Sequence, residues 1–143
     1  MNAVGIDSRT APYAALLLRV CLGALFLAHA GLKLFVFTPS GTERFFASLG
    51  VPGWVGLVVI AAEIIAGIAL IVGFYARVVA LAMIPDLLGA IALVHIHNGF
   101  FFTAKGGGYE YPLFWAIALA VLALAGDGAW AVRSGCIKCK QEL

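Results

Sequence analysis

Charged side chains are scarce in this 143-residue chain. Nine Lys and Arg and seven Asp and Glu make up 11% of the residues, whereas 64% are hydrophobic and the mean hydropathy is +1.07. Soluble domains carry about 25% charged and about 45–50% apolar residues. A core built from so short a chain cannot hide this much apolar surface, so we expect lipid to cover the excess. The net charge of +2 is too small to favour a nucleic-acid partner.

Cysteines are also few, and cofactor motifs are missing. Three scattered cysteines cannot hold an iron–sulfur cluster, and the sequence has no flavin or dinucleotide fingerprint. Cys21 is expected to be a small packing residue in the first helix. Cys136 and Cys139 form one C-x-x-C, a weak redox candidate that we interpret mainly as a reduced tail motif. A zinc site would need two further ligands, and none lies nearby in the sequence.

Long apolar runs dominate what remains. We predict four transmembrane helices at about 14–37, 54–74, 78–97 and 112–132, each near the ~20 residues that span the hydrocarbon core. Helices satisfy the backbone in lipid, and no alternating strand pattern competes with them. The fold class is therefore an all-α membrane protein, a four-transmembrane-helix bundle. Residues 1–13 precede the bundle, residues 14–132 form it, and residues 133–143 are a C-terminal tail.

The distribution of basic residues predicts the orientation. Six fall on the side of the termini (Arg9, Arg19, Arg77, Arg133, Lys138 and Lys140) and three on the other (Lys33, Arg44 and Lys105). Basic residues are enriched on the cytoplasmic side, so we expect both termini in the cytoplasm. The two long loops, about 38–53 and 97–111, then lie outside.

Several ionisable residues fall inside the predicted spans. Arg19, His29 and Lys33 share one face of the first helix, Glu63 lies near the centre of the second, and Asp86 follows a proline in the third. Such residues are costly in a membrane and usually face the interior with a function. One interpretation is a polar pocket between helices that binds a quinone head group, passes protons or holds a metal. The other is a set of buried ion pairs that fixes helix register. Arg19 and Arg77 are also expected to extend toward the inner interface.

The three histidines are possible metal ligands. His95 and His97 are two residues apart, so they cannot share a face of one helix. With His29 they make only weak candidates for a metal, and haem is disfavoured, because an interfacial histidine with a satisfied hydrogen bond is commoner.

The order of several motifs resembles the DoxX family over about Leu16 to Trp130. They are Leu18-Arg19-Val20 with Gly23, Phe26, Gly31 and Lys33-Leu34; Phe45-Phe46 with Gly50-Val51-Pro52; Glu63, Gly67, Leu70, Gly73 and Arg77; and Asn98-Gly99-Phe100-Phe101 with Gly107-Gly108-Tyr109-Glu110-Tyr111-Pro112. The resemblance implies a small four-helix protein of the bacterial inner membrane, related to subunits of thiosulfate:quinone oxidoreductase and to oxidative-stress assemblies. It adds Glu110 and Arg77 to Lys33 and Glu63 as positions to test.

We therefore expect a redox-linked subunit that binds quinone or a similar small molecule and acts with a membrane or peripheral partner, since no electron carrier is recognisable in the chain itself. The alternative is a non-enzymatic scaffold or small-molecule transporter that works as a homo-oligomer. A thiol switch would rest on Cys136 and Cys139 alone.

Overall fold

The computed structural model describes residue 5 and residues 7–132, and every regular element in that part is helical. The five α-helices within these residues are α1 (Ala11–Gly31), α2 (Pro39–Ser48), α3 (Trp54–Val72), α4 (Ala76–Ala90) and α5 (Glu110–Ala125). A π-helical turn, Leu32–Val36, extends α1; a π-helical turn, Ile91–His95, and a 3₁₀ turn, Ile96–Asn98, extend α4. The predicted all-helical fold is confirmed.

Long apolar helices support the membrane assignment. Among the described residues, three continuous helices are long and apolar enough to cross a membrane: Ala11–Val36, Trp54–Val72 and Ala76–Asn98. They match the first three predicted spans to within a few residues at each end. α5 is equally apolar but has only 16 residues.

The fourth predicted helix, 112–132, is too long at its C-terminal end. α5 stops at Ala125 because Gly126 adopts φ 102° and ψ −175°, and Gly128 has φ 75°, conformations that a helix does not contain. Residues 126–132, here called the C-terminal strap, instead cross the ends of other helices. The Ala129 N–H donates to Pro12 O (2.9 Å) and the Val132 N–H to Val72 O (3.2 Å).

The predicted first outer loop is also more regular than expected. Most of 38–53 is α2, and its first turn is capped by the Thr38 hydroxyl, which accepts a hydrogen bond from Gly41 N (3.2 Å). Pro39 at the start of the helix needs no hydrogen-bond partner for its nitrogen. α2 packs against α3 and the π-helical turn after α1.

Close packing joins α1 to α3 and α4 to α5. At the first contact, a Cβ atom placed on Gly23 would lie 2.7 Å from the backbone oxygen of Gly67, so only glycine allows this approach. Phe26, Leu70, Leu119 and Leu122 are fully buried in the core that unites the two pairs. A cavity lies between the helices at the end of the bundle where α2 and the 99–109 loop lie.

Candidate ligand cavity

A cavity of about 1550 Å³ opens between the helices at the end that carries α2 and the 99–109 loop. Its walls are mostly apolar, and the polar side chains are concentrated in a few positions. Of the residues predicted from sequence, the cavity is lined by His29, Lys33, Glu63, Asp86, His95 and Glu110. The structure thus gathers side chains from α1, α3, α4, α5 and the two π-helical turns around one space.

An ion pair between Lys33 and Glu63 forms the polar centre of this wall. Lys33 Nζ lies 2.8 Å from both Glu63 Oε1 and Glu63 Oε2. The side chain of Glu63 is 5% exposed and that of Lys33 is 19% exposed. Lys33 reaches the pair from the π-helical turn after α1, whereas Glu63 occupies the middle of α3. The pair therefore joins the first two of the long apolar helices.

Asp86 also lines the cavity, from α4 next to Pro85. Its charge interacts with those of both Lys33 and Glu63. Asp86 accepts no hydrogen bond from any residue that the structure describes, and the ion pair of Lys33 is with Glu63 instead. Lys33 therefore pairs with one of the two carboxyl groups, that of Glu63, and the other, that of Asp86, faces the cavity.

Aromatic side chains from α5 complete the site. The Tyr111 ring is stacked on His29, with centroids 6.2 Å apart and planes 19° apart, and the Trp115 ring meets the edge of His29 at 5.1 Å. The sequence interpretation did not include Tyr111 or Trp115. The two aromatic residues are four positions apart on one helix, so they share a face, and this spacing is the sequence signal that could have identified them.

The 99–109 loop is fastened to the cavity wall by three side chains. Glu110 Oε1 accepts a hydrogen bond from Phe102 N (2.9 Å), and His95 Nδ1 lies 2.9 Å from Gly107 O. Asn98 Nδ2 donates to the backbone oxygens of Val94, Gly106 and Gly107. Glu110 and His95 therefore line the cavity and also hydrogen-bond to the 99–109 loop. The sequence interpretation missed Asn98 because a lone asparagine has no distinctive pattern.

Arg19 and Arg77 lie at the other end of the bundle. Arg19 is 1% exposed, and its guanidinium donates to the backbone oxygens of Leu70 (2.9 Å), Ile71 (2.7 Å) and Ala129 (2.8 Å). A cation suits the carbonyls of Leu70 and Ile71, which lie at the C-terminal end of α3. Arg19 is thus enclosed by protein, and the expectation that it extends to the interface is wrong.

Arg77 has a similar position at the end of α5. Arg77 lies in the first turn of α4, and its guanidinium donates to Leu124 O near the end of α5 (3.0 Å). Its backbone N–H donates to Asp127 Oδ1 (3.0 Å). Neither Arg19 nor Arg77 lines the cavity.

The histidines do not assemble a metal site in the part of the chain that the structure describes. No group of three or more His, Cys, Asp or Glu side chains there is arranged so that it could hold a metal ion. His97 is exposed and lies outside the cavity, and His95 is bonded to the loop. The Cys136 and Cys139 motif lies outside the described residues.

Comparison with known proteins adds a family relationship. The family model described as DoxX matches residues 14–96. A relative in Bacillus subtilis (strain 168), named "Putative oxidoreductase CatD", is 36% identical over 98 residues, which cover 68% of this chain and 69% of the relative. No solved structure matches the chain. The family match contains Lys33, Glu63 and Asp86, whereas the aromatic residues of α5 lie beyond it.

Proposed function

Because the chain belongs to the DoxX family of membrane proteins, we propose that it is a redox-linked subunit that binds quinone or a similar small molecule in the cavity. The observation that carries the proposal is the Lys33–Glu63 ion pair in the wall of a cavity of about 1550 Å³, between two helices that are long and apolar enough to cross a membrane. Charged groups are costly in such surroundings, and replacing a buried pair by apolar residues is often neutral or stabilising. A role in ligand binding gives a reason to keep it.

The residues present suit a quinone-type ring. Pockets of this kind are largely apolar, with a few polar groups that orient the ligand. Tyr111 and Trp115 provide aromatic faces for a flat ring. Lys33 Nζ carries three hydrogens, of which Glu63 accepts two, so one remains for a ligand oxygen. A bound quinone would supply the two-electron chemistry, and the chain's own residues would position the ring and exchange protons with it.

A partner would have to exchange electrons with the ligand. The sequence holds no recognisable electron carrier, and the similar protein of Bacillus subtilis is named as an oxidoreductase. We propose that a membrane or peripheral redox protein meets the cavity end of the bundle, and that the bacterial inner membrane is the site of this assembly.

Binding of a quinone analogue to the Glu63→Gln protein tests the function. We expect affinity to fall at least about tenfold, because Glu63 holds in place the Lys33 ammonium group whose free hydrogen meets the ligand, and a charge-assisted bond is worth about 1.5–3 kcal/mol. Isothermal titration with the full chain in lipid nanodiscs measures it. Glu43→Gln, a carboxylate on α2 outside the cavity, is the matched control. Unchanged affinity in the Glu63 variant, with the fold intact, would favour the scaffold or transporter alternative.

A four-span topology with both ends in the cytoplasm forms the second part of the proposal. The 16 residues of α5 extend about 24 Å, close to the thickness of the hydrocarbon core. The hydrogen bond from Ala129 to Pro12 brings the two ends of the described chain to one side, as an even number of crossings requires. When the buried Arg19 and the paired Lys33 are left out of the count, five basic residues remain on the side of the termini and two on the side of the long loops. This excess still favours a cytoplasmic location for the termini.

Single cysteines report this topology. With the three natural cysteines replaced by serine, a cysteine at exposed Thr103 should react with an impermeant maleimide added to intact cells. A cysteine at exposed Ser8 should react only after the membrane is opened. The reverse pattern would contradict the orientation, and equal labelling at both positions in intact cells would contradict the three crossings proposed between Ser8 and Thr103.

A further inference from the structure

The polar side of the cavity offers an acceptor that nothing in the described protein satisfies. Asp86 lines the cavity and receives no hydrogen bond from a described residue, whereas the Glu63 carboxylate already binds Lys33 through both oxygens. Two carboxyl groups and one ammonium group leave the site with a surplus of acceptors. A ligand that adds only acceptors would leave Asp86 without a partner.

The two redox forms of a quinone differ in this respect. The dione form carries two carbonyl oxygens, which only accept hydrogen bonds. The reduced form carries two hydroxyl groups, which donate hydrogen bonds and add no charge. A hydroxyl that donates to a carboxylate forms a charge-assisted hydrogen bond, about twice as strong as a neutral one.

From this complementarity we infer that the cavity binds the reduced, dihydroxy form of a quinone-type ring in preference to the dione, and that Asp86 determines the preference. This inference rests on the proposed function and adds the redox form of the ligand. One ring hydroxyl donates to the Asp86 carboxylate, while the free hydrogen of Lys33 Nζ points to an oxygen that either form provides. Lys33 therefore contributes to affinity, and Asp86 contributes to discrimination.

None of the other titratable groups that line the cavity donates a hydrogen bond to Asp86 in the part of the chain that the structure describes. From α1 and its π-helical turn come His29 and Lys33, from α3 comes Glu63, and from α5 come Glu110 and Tyr111. Lys33 is directed to Glu63, Glu110 is bonded to Phe102 N, and His29 is packed between aromatic rings. His95, on the continuation of α4, is bonded to Gly107 O.

Affinities for a matched ligand pair test the inference. Trimethylbenzoquinone and trimethylhydroquinone share one ring and differ in the dione and dihydroxy groups. We expect the full-length protein in nanodiscs, under anaerobic conditions, to bind the hydroquinone at least about tenfold more tightly. The same tenfold ratio would raise the midpoint potential of the bound couple by about 30 mV, a second and independent readout.

Substitutions at Asp86 assign the preference. In Asp86→Asn the ratio should fall to within about twofold, because the amide can donate to a dione as well as accept from a hydroxyl. Asp86→Glu, which keeps the carboxylate, should retain most of the preference, and Glu43→Gln should retain all of it. A melting temperature close to the parent value shows that each variant is folded, and Asp86→Ala, which also lacks the carboxylate and should lose the preference, replaces the asparagine variant if that variant does not fold.

The outcomes separate the inference from the function on which it rests. Equal affinity for the two compounds, tighter binding of the dione, or an unchanged ratio in Asp86→Asn overturns the inference and leaves the proposed function standing. Binding of neither compound overturns the proposed function, and the inference with it.

Discussion

The two ends of the bundle each hold a basic side chain from the first helix, Arg19 from α1 and Lys33 from the π-helical turn that extends it, but the two side chains have different partners. At the capped end, formed by Arg19, Arg77, Asp127 and the C-terminal strap, Arg19 donates to three backbone oxygens. At the cavity end, about 21 Å further along the helix, Lys33 pairs with a carboxylate beside open space. The comparison teaches that a charge within a span indicates function only when its surroundings leave room for a ligand.

The largest loss of stability is expected from Arg19→Met. The substitution removes the guanidinium donor from the backbone oxygens of Leu70, Ile71 and Ala129, of which Leu70 O also accepts from the Gly73 N–H (3.2 Å). We expect the free energy of unfolding to fall by about 3–5 kcal/mol. Thermal unfolding of the purified protein in detergent measures it. Arg9→Met removes an exposed arginine and serves as the control. An Arg19 variant as stable as this control would show that the capped end does not depend on the guanidinium.

A smaller loss is expected from Asp127→Ala at the same end. Asp127 is 5% exposed and accepts the Arg77 N–H in the first turn of α4. Loss of such a cap costs about 0.5–2 kcal/mol, and asparagine caps as well as aspartate does. Asp127→Asn should therefore melt close to the parent protein, and Asp127→Ala clearly below it. If both variants lose the same stability, the negative charge matters and the cap does not.

The smallest effect on stability is expected at the cavity end, from the double substitution Lys33→Met with Glu63→Leu. Replacing both members of a buried pair by apolar residues of similar size is often neutral, so we expect unfolding to change by less than about 1 kcal/mol. Binding of the quinone analogue should disappear. Thermal unfolding and titration on the same sample test both statements. A large drop in melting temperature would mean that the ion pair serves the fold, as Arg19 does.

Hydrophobic periodicity and charge predicted the spans and the inward position of Lys33 and Glu63, because these properties depend on local sequence. Glu63 and Lys33 had to face the interior of a bundle, and the two helices that carry them are neighbours in sequence and in space. The end of α5 was missed because Ala129, Trp130 and Val132 continue the apolar run. Gly126 and Gly128 end the helix, and their spacing was the available signal.

The role of Arg19 could not be derived in the same way. Its partners are 51, 52 and 110 residues away in the sequence, so its burial depends on tertiary packing. A residue near the end of a hydrophobic stretch is most often solvated or interfacial, and only the fold shows that α3 and the strap enclose this one. Tyr111 and Trp115 likewise became part of the site because α5 places them against His29.

The C-terminal strap has a consequence for the order in which the protein is made. Arg19 enters the membrane early, two of its acceptors arrive with α3, and the third, Ala129, is synthesised only after α5. The bundle therefore closes late in biosynthesis, when residues 126–132 reach Pro12 and Val72. Until then α1 carries an arginine whose hydrogen bonds are incomplete, and a chain cut before the strap would keep that defect permanently. Such a truncated chain should be recognised by membrane quality-control proteases, although its apolar segments are intact.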